Sequence, residues 1–255
     1  MPVGVALLLA LVQGLTEFLP VSSSAHLGLL QNASGLFSAP PILFDVWLHL
    51  ATIAAVLVYY RKRLLGYLRP DRLLLLIVAT ALTGGIGLLL KPAAERAFGS
   101  VPAVCGFLLC TGILLSVTQR WARPGRTSPG LAAAAGVGLV QGIAVFPGLS
   151  RSGLTICAGL WMGFRPEEAA EFSFILSVPA VVGANALEFW SNRGQLVSVD
   201  WGVFIAAFIV AFLAGLAAIH GMMRVMARNL LNPFAAYCVL LAAAALGIYA
   251  GRTVS

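Results

Sequence analysis

Between positions 13 and 26 the chain reads QGLTEFLPVSSSAH, a carboxylate, three consecutive hydroxyls and an imidazole in one short run. Gln13 and Glu17 are four apart, so on a helix they share a face. In apolar surroundings Glu17 must be neutral, hydrogen-bonded, paired with a cation or bound to a metal, or else reach water where Pro20 stops the helix. Ser22 and Ser23 lie four and three residues before His26, and either spacing allows a hydroxyl–imidazole contact. Those groups are the parts of an activated serine, with Glu17 as orienter. Serines after a proline also make a helix N-cap and ease helix packing in lipid, a bland role open to Ser22 and Ser24.

A second run, QGIAVFPGLSRSG at 141–153, supplies the matching cation. Arg151 offers a planar fork of donors suited to phosphate oxygens. Gly148 and Gly153 flank Ser150, Arg151 and Ser152, so backbone amides can also approach an anion there. An ion pair between Arg151 and Glu17 is the alternative arrangement. Hydroxyls, an imidazole and a carboxylate facing an arginine suit a phosphate-bearing lipid better than a sugar or an amine. They can neutralise charge and present an in-line nucleophile, with Glu17 holding a divalent cation, Mg²⁺ or alternatively Ca²⁺.

These polar runs interrupt a chain that is otherwise close to oil. Of 255 residues, 60% are hydrophobic and 10% charged, against roughly 25% charged in soluble domains. The chain reads as an all-α polytopic membrane protein. No basic stretch precedes the first apolar run and no small-residue cleavage site follows it, so that run belongs to the fold rather than to a cleaved leader. The net charge of +7 fits loops facing anionic lipid and an anionic substrate, with no nucleic-acid partner expected. Cys105, Cys110, Cys157 and Cys238 sit in apolar runs without metal-ligand spacing.

Six segments are long and apolar enough to span: 44–60, 73–90, 101–118, 172–190, 201–219 and 233–250. Two further regions, 3–37 and 131–164, are broken by Pro, Gly and Ser and read as re-entrant helical hairpins. A shift of 128 superposes the polar runs, bringing Gln13 onto Gln141, Ser22 onto Ser150 and Ser24 onto Ser152. The same shift carries 73–90 onto 201–218. The expected domains are therefore 1–128 and 129–255, each one hairpin plus three spans, with a seam at Pro124, Gly125, Ser128, Pro129 and Gly130. Three spans is an odd number, so the second half must run the other way: an inverted-topology repeat whose two breaks meet near the midplane.

Loop charge tests that expectation separately. Loops 61–72, 119–130, 165–171 and 220–232 carry eleven of the sixteen Lys and Arg residues. Lys91, Arg96, Arg193 and Arg252 lie on the other side, and Arg151 in neither. The basic side is cytoplasmic by the positive-inside rule, so the first hairpin dips in from the periplasmic or outer face. Asp45 and His49, four apart on a span, read as a self-satisfied pair near a helix mouth. Pro166, Glu167, Glu168 and Glu171 read as a helix start.

QGLTEFLPVSSSAHL (Gln13 to Leu27) and FPGLSRSG (Phe146 to Gly153), supported by EFSFILSVP (Glu171 to Pro179), resemble the integral-membrane undecaprenyl-diphosphate phosphatases of the bacitracin-resistance type. The hydropathy runs full length, and two long motifs in order are highly specific. The resemblance implies hydrolysis of undecaprenyl diphosphate to undecaprenyl phosphate and phosphate at the outer face of the bacterial plasma membrane. That reaction recycles the lipid carrier for peptidoglycan synthesis, and an abundant enzyme confers bacitracin resistance. By motif position it implies Glu17 as the acidic residue, Ser23 as nucleophile or water-positioning residue, His26 as general acid and base, and Arg151 as phosphate holder. Gln13, Ser22, Ser24, Gly148, Ser150, Ser152 and Gly153 then line the substrate. Some members carry a second glutamate where this chain has Gln13, so the first motif here supplies one carboxylate; Ala25 replaces a frequent glycine. A homodimer is compatible with this class. The competing reading is a flippase for prenyl phosphates, because an inverted repeat with two broken hairpins is also a transporter plan. A PAP2-type lipid phosphatase would need further Lys, Arg and His motifs that the chain lacks.

Overall fold

The computed structural model describes residues 2–34, 42–122, 125, 130–192, 200–228 and 230–254. Of the expected seam, Pro124, Ser128 and Pro129 fall outside the described residues, as do Arg123, Arg126, Arg193 and the end of the first hairpin at 35–37.

Helix is the only regular structure among the described residues. The order is α1 (Val3–Phe18), α2 (Ser23–Ser34), α3 (Ile42–Tyr59), α4 (Arg61–Tyr67), α5 (Pro70–Phe98) and α6 (Val101–Trp121). It continues with α7 (Leu131–Ile143), α8 (Arg151–Trp161), α9 (Pro166–Asn192), α10 (Trp201–Ala227) and α11 (Asn232–Val254). Five helices, α5, α6, α9, α10 and α11, are long and apolar enough to cross a membrane. The bent pair α3–α4, turned by 85°, brings the number to six when counted as one span. These are the six segments expected from hydropathy. The span within α5 has a mean hydropathy of 2.5 with only 6% of it buried. An apolar surface of that extent needs lipid, because water would drive it to associate.

The two broken regions have a length reason. At 16 and 13 residues, α1 and α7 reach only about 24 and 20 Å at 1.5 Å per residue, short of a hydrocarbon core of about 30 Å. Each is followed by an interruption and a second short helix.

The elements recur at the offset found in the sequence. Adding 128 carries the start of α1 onto that of α7, and α2, Ser23, onto α8, Arg151. Packing recurs with it: α1 lies against α10, and its counterpart α7 lies against α5. The close approach needs glycine in both places. A Cβ on Gly14 would sit 2.5 Å from the Ala211 carbonyl oxygen of α10. One on Gly142, 128 residues later, would sit 2.6 Å from Ile86 Cβ of α5. Each half's broken segment thus leans on a span of the other half, and α6 on α11 completes the join. The larger apolar core, including Phe18, Phe172, Phe174, Leu108 and Ile156, surrounds the two interruptions.

Candidate functional site

Both interruptions follow from local chemistry. α1 ends at Phe18 because Leu19 precedes Pro20 and takes the extended conformation, φ −77° and ψ 145°. Ser22 then reverses the chain at φ +64°, a conformation rare outside glycine. Its hydroxyl accepts from the Ala25 amide at 3.3 Å and lies 3.2 Å from Ser24 Oγ, capping α2. In the second half Gly148 makes the turn at φ +100°, and a Cβ there would run into the Val104 carbonyl. Ser150 caps α8, accepting from the Gly153 amide at 3.1 Å, with Ser152 Oγ 3.3 Å away. Thr111 of α6 pins this turn by donating to the Gly148 carbonyl at 3.0 Å and accepting from the Ser150 amide at 3.1 Å. The two turns touch: Ser152 Oγ donates to the Leu19 carbonyl at 3.0 Å.

Glu17 is where they converge. Its buried carboxylate receives Ser23 Oγ at 2.8 Å and Gln13 Nε2 at 2.9 Å, both on Oε2. The Arg151 guanidinium donates Nη2 to Oε1. Ser23 and Arg151 are the first residues of α2 and α8, equivalent positions in the two halves. The repeat therefore delivers a hydroxyl from one side and a guanidinium from the other to a single carboxylate. His49 of α3 completes the cluster, with Nε2 3.9 Å from Glu17 Oε2. Its Nδ1 donates to the Asp45 carbonyl at 2.8 Å.

Two buried atoms in this cluster have no hydrogen-bond partner among the described residues: Arg151 Nη1, a donor, and Gln13 Oε1, an acceptor. Such atoms cost about 1–3 kcal/mol each when left unsatisfied. An unspent guanidinium donor beside a committed one fits a bound anion with several oxygens. The Ser23 hydroxyl proton points at a Glu17 carboxylate oxygen, a geometry in which a hydroxyl can be activated.

Gln13, Glu17, Ser23 and Arg151 thus come together directly. Ser22, Ser24, Gly148, Ser150, Ser152 and Gly153 build the turns, with the hydroxyls of Ser22, Ser150 and Ser152 engaged in capping or in joining the turns. His26 turns elsewhere. Its Nδ1 donates to the Ser22 carbonyl at 2.8 Å and its Nε2 accepts from Tyr237 at 2.7 Å. Among the described residues it makes no hydrogen bond to Ser23 or Glu17. His49 keeps the Asp45 contact that the sequence suggested and adds a place beside Glu17; an imidazole on an apolar span one helical turn after an acid was the available signal. Thr111 and Tyr237 carried none, since both types are ordinary in membrane helices. Glu171, read as a helix-start residue, is instead buried and accepts from Arg63 and Tyr67. The polar cleft there, lined by Lys62, Arg69, Arg72 and Arg165 among others, shares no residue with the Glu17 cluster.

A helical multi-pass membrane protein whose two chain breaks bring a hydroxyl and a guanidinium together on one carboxylate is the class defined by this fold and site. The family model for bacitracin resistance protein BacA matches residues 6–244. An undecaprenyl-diphosphatase of Syntrophotalea carbinolica is 44% identical over 250 residues, 92% of this chain and 95% of that protein. One of Carboxydothermus hydrogenoformans is 40% identical over 244 residues, covering 92% and 93%. Another of Methanobrevibacter smithii is 36% identical over 259 residues, covering 91% and 92%. The chain belongs to the BacA bacitracin resistance family.

Proposed function

We propose that this protein is an undecaprenyl-diphosphatase, hydrolysing undecaprenyl diphosphate to undecaprenyl phosphate and inorganic phosphate. The observation that carries the reading is the convergence of Ser23 and Arg151 on Glu17, in a chain whose relatives bear that name. Ser23 Oγ attacks the terminal phosphorus and its proton passes to Glu17, 2.8 Å away. The new Ser23 O–P bond forms as the bridging P–O bond breaks, and the electron pair leaves with the monophosphate lipid. Glu17 gives that proton to the departing monophosphate and is ionised again; water then attacks the Ser23 phosphoester, and Glu17 takes the water's proton and returns it to Ser23 Oγ as phosphate departs, so that the serine is restored. Arg151 Nη1 binds an equatorial phosphate oxygen, supplying charge stabilisation of the kind phosphoryl transfer requires.

A divalent cation fits the donor set. Glu17 and the unpartnered Gln13 Oε1 would be its oxygen ligands, and Mg²⁺ is commonly held by one or two carboxylates with substrate phosphates completing the shell. Bound there, it would neutralise phosphate charge. The excess of basic residues in segments 61–72, 119–130, 165–171 and 220–232 supports a cytoplasmic position for those segments. The two halves then run in opposite senses through the plasma membrane, and the Glu17 site opens to the outer face.

The test is phosphate release by the purified protein from a prenyl diphosphate in detergent, with Mg²⁺ and with a chelator. Release that depends on Mg²⁺ and is lost in both Ser23→Ala and Arg151→Ala is expected. A folded protein that binds the lipid and releases no phosphate overturns the reading.

A further inference from the structure

We propose that Tyr237 is a positioning residue for Ser23, acting through His26. The proposal rests on the hydrolytic reading of the Glu17 site and adds a residue from the far end of the chain.

The hydrogen bonds form a continuous line. The Ser22 carbonyl can only accept, so His26 Nδ1 carries the ring proton and donates to it at 2.8 Å. The His26 backbone amide reaches the same oxygen at 3.3 Å. With Nδ1 protonated, Nε2 of the neutral ring holds the lone pair, and it accepts from the Tyr237 hydroxyl at 2.7 Å. The rings stack almost parallel, 4° apart with centroids 5.6 Å distant. The next residue of α11 also meets the break, Cys238 Sγ lying 3.6 Å from the Pro20 carbonyl. Successive α11 residues therefore grip the turn between α1 and α2.

That turn needs gripping. Ser22 stands at φ +64°, a conformation that costs on the order of 1–3 kcal/mol outside glycine and persists only where surroundings enforce it. The Ser22 carbonyl belongs to the peptide that carries Ser23. Holding that oxygen fixes the plane of the peptide, and so the direction in which Ser23 Oγ leaves toward Glu17. The two halves differ here. Where the first half has His26 the second has Leu154, and where α11 has Tyr237 the equivalent of α6 is Leu109. The second turn has glycine at its positive φ, Gly148, and needs no clamp for strain. Of the two turns, the one that leads into Ser23 is where the imidazole–phenol pair stands.

The experiment is a double-mutant cycle on the full-length protein in detergent, with Tyr237→Phe, His26→Ala and the pair. Tyr237→Phe keeps the stacked ring and removes only the hydroxyl. Phosphate release from a prenyl diphosphate is expected to show kcat falling about two- to tenfold, the loss of one neutral hydrogen bond, with KM unchanged. In the His26→Ala background the same change is expected to have no further effect on kcat. Thermal unfolding is read on the same four proteins. Tyr237→Phe should lower the melting temperature in the wild type and leave it unaltered beside His26→Ala. A kcat for Tyr237→Phe equal to wild type, or effects that multiply in the double variant, overturns the proposal while leaving the phosphatase reading intact. If the wild type itself releases no phosphate, the phosphatase reading falls; additive melting shifts would then show that the clamp is absent as well.

Discussion

Replacing Arg151 by lysine separates what its two guanidinium arms do. One arm neutralises Glu17, and the other, Nη1, is buried without a partner. Side chains of Glu17 and Arg151 are 7% and 17% exposed, so solvent screens the pair little. Arg151→Ala strands a buried carboxylate, and breaking such pairs costs about 3–5 kcal/mol of stability. Arg151→Lys keeps a cation for Glu17 and restores most of that stability. It supplies a point charge in place of a fork, however, and cannot serve Glu17 and a phosphate oxygen in the same planar geometry. Removing one preorganised donor from a site of developing charge costs about 10²–10³ in kcat, or ~2.7–4 kcal/mol. The expected outcome for Arg151→Lys is thus a near-wild-type melting temperature with phosphate release down by about that factor. Steady-state kinetics in detergent and thermal unfolding on the same sample read both quantities. A lysine variant that turns over at the wild-type rate refutes the assignment of Nη1 to substrate. One that unfolds as readily as Arg151→Ala refutes the division of labour.

Other outcomes follow from the same geometry. Glu17→Gln preserves shape and removes the proton acceptor for Ser23, so kcat should fall about 10²–10⁴-fold, as for loss of a general base; phosphate-release assays would expose the error if turnover survived. Thr111→Val is close in shape but leaves the Ser150 amide without its acceptor and the Gly148 carbonyl without that donor. It should cost about 1–3 kcal/mol, read by thermal unfolding. Gly148→Ala imposes a side chain at φ +100° against the Val104 carbonyl, with an expected cost of at least ~1–3 kcal/mol; an unchanged melting temperature would count against the turn as drawn. Gly14→Ala should loosen α1 from α10, since its Cβ would meet the Ala211 carbonyl at 2.5 Å, and it should lower the melting temperature without touching a group at the site.

Much was legible in the order of residues because lipid is a strict solvent. Twenty apolar residues in a row have few other fates, so the spans around α5, α6, α9, α10 and α11 were readable from hydropathy. Ionisable groups at membrane depth are costly enough that Glu17 and Arg151 announced themselves as partners or ligands before any coordinate was known. The constant offset of 128 added the relation between halves, and with it the equivalence of Ser23 and Arg151. Directions were a different matter. Whether His26 or His49 faces the carboxylate depends on the rotation of α2 and α3 about their axes, and apolar packing on every side leaves no amphipathic stripe to reveal it. The Thr111 bond to the second turn and the Tyr237 bond to the first each join residues far apart in the chain. Sequence determined which chemical groups must be sheltered from lipid; only the packing of one half's broken segment against the other half's spans decided which of them meet.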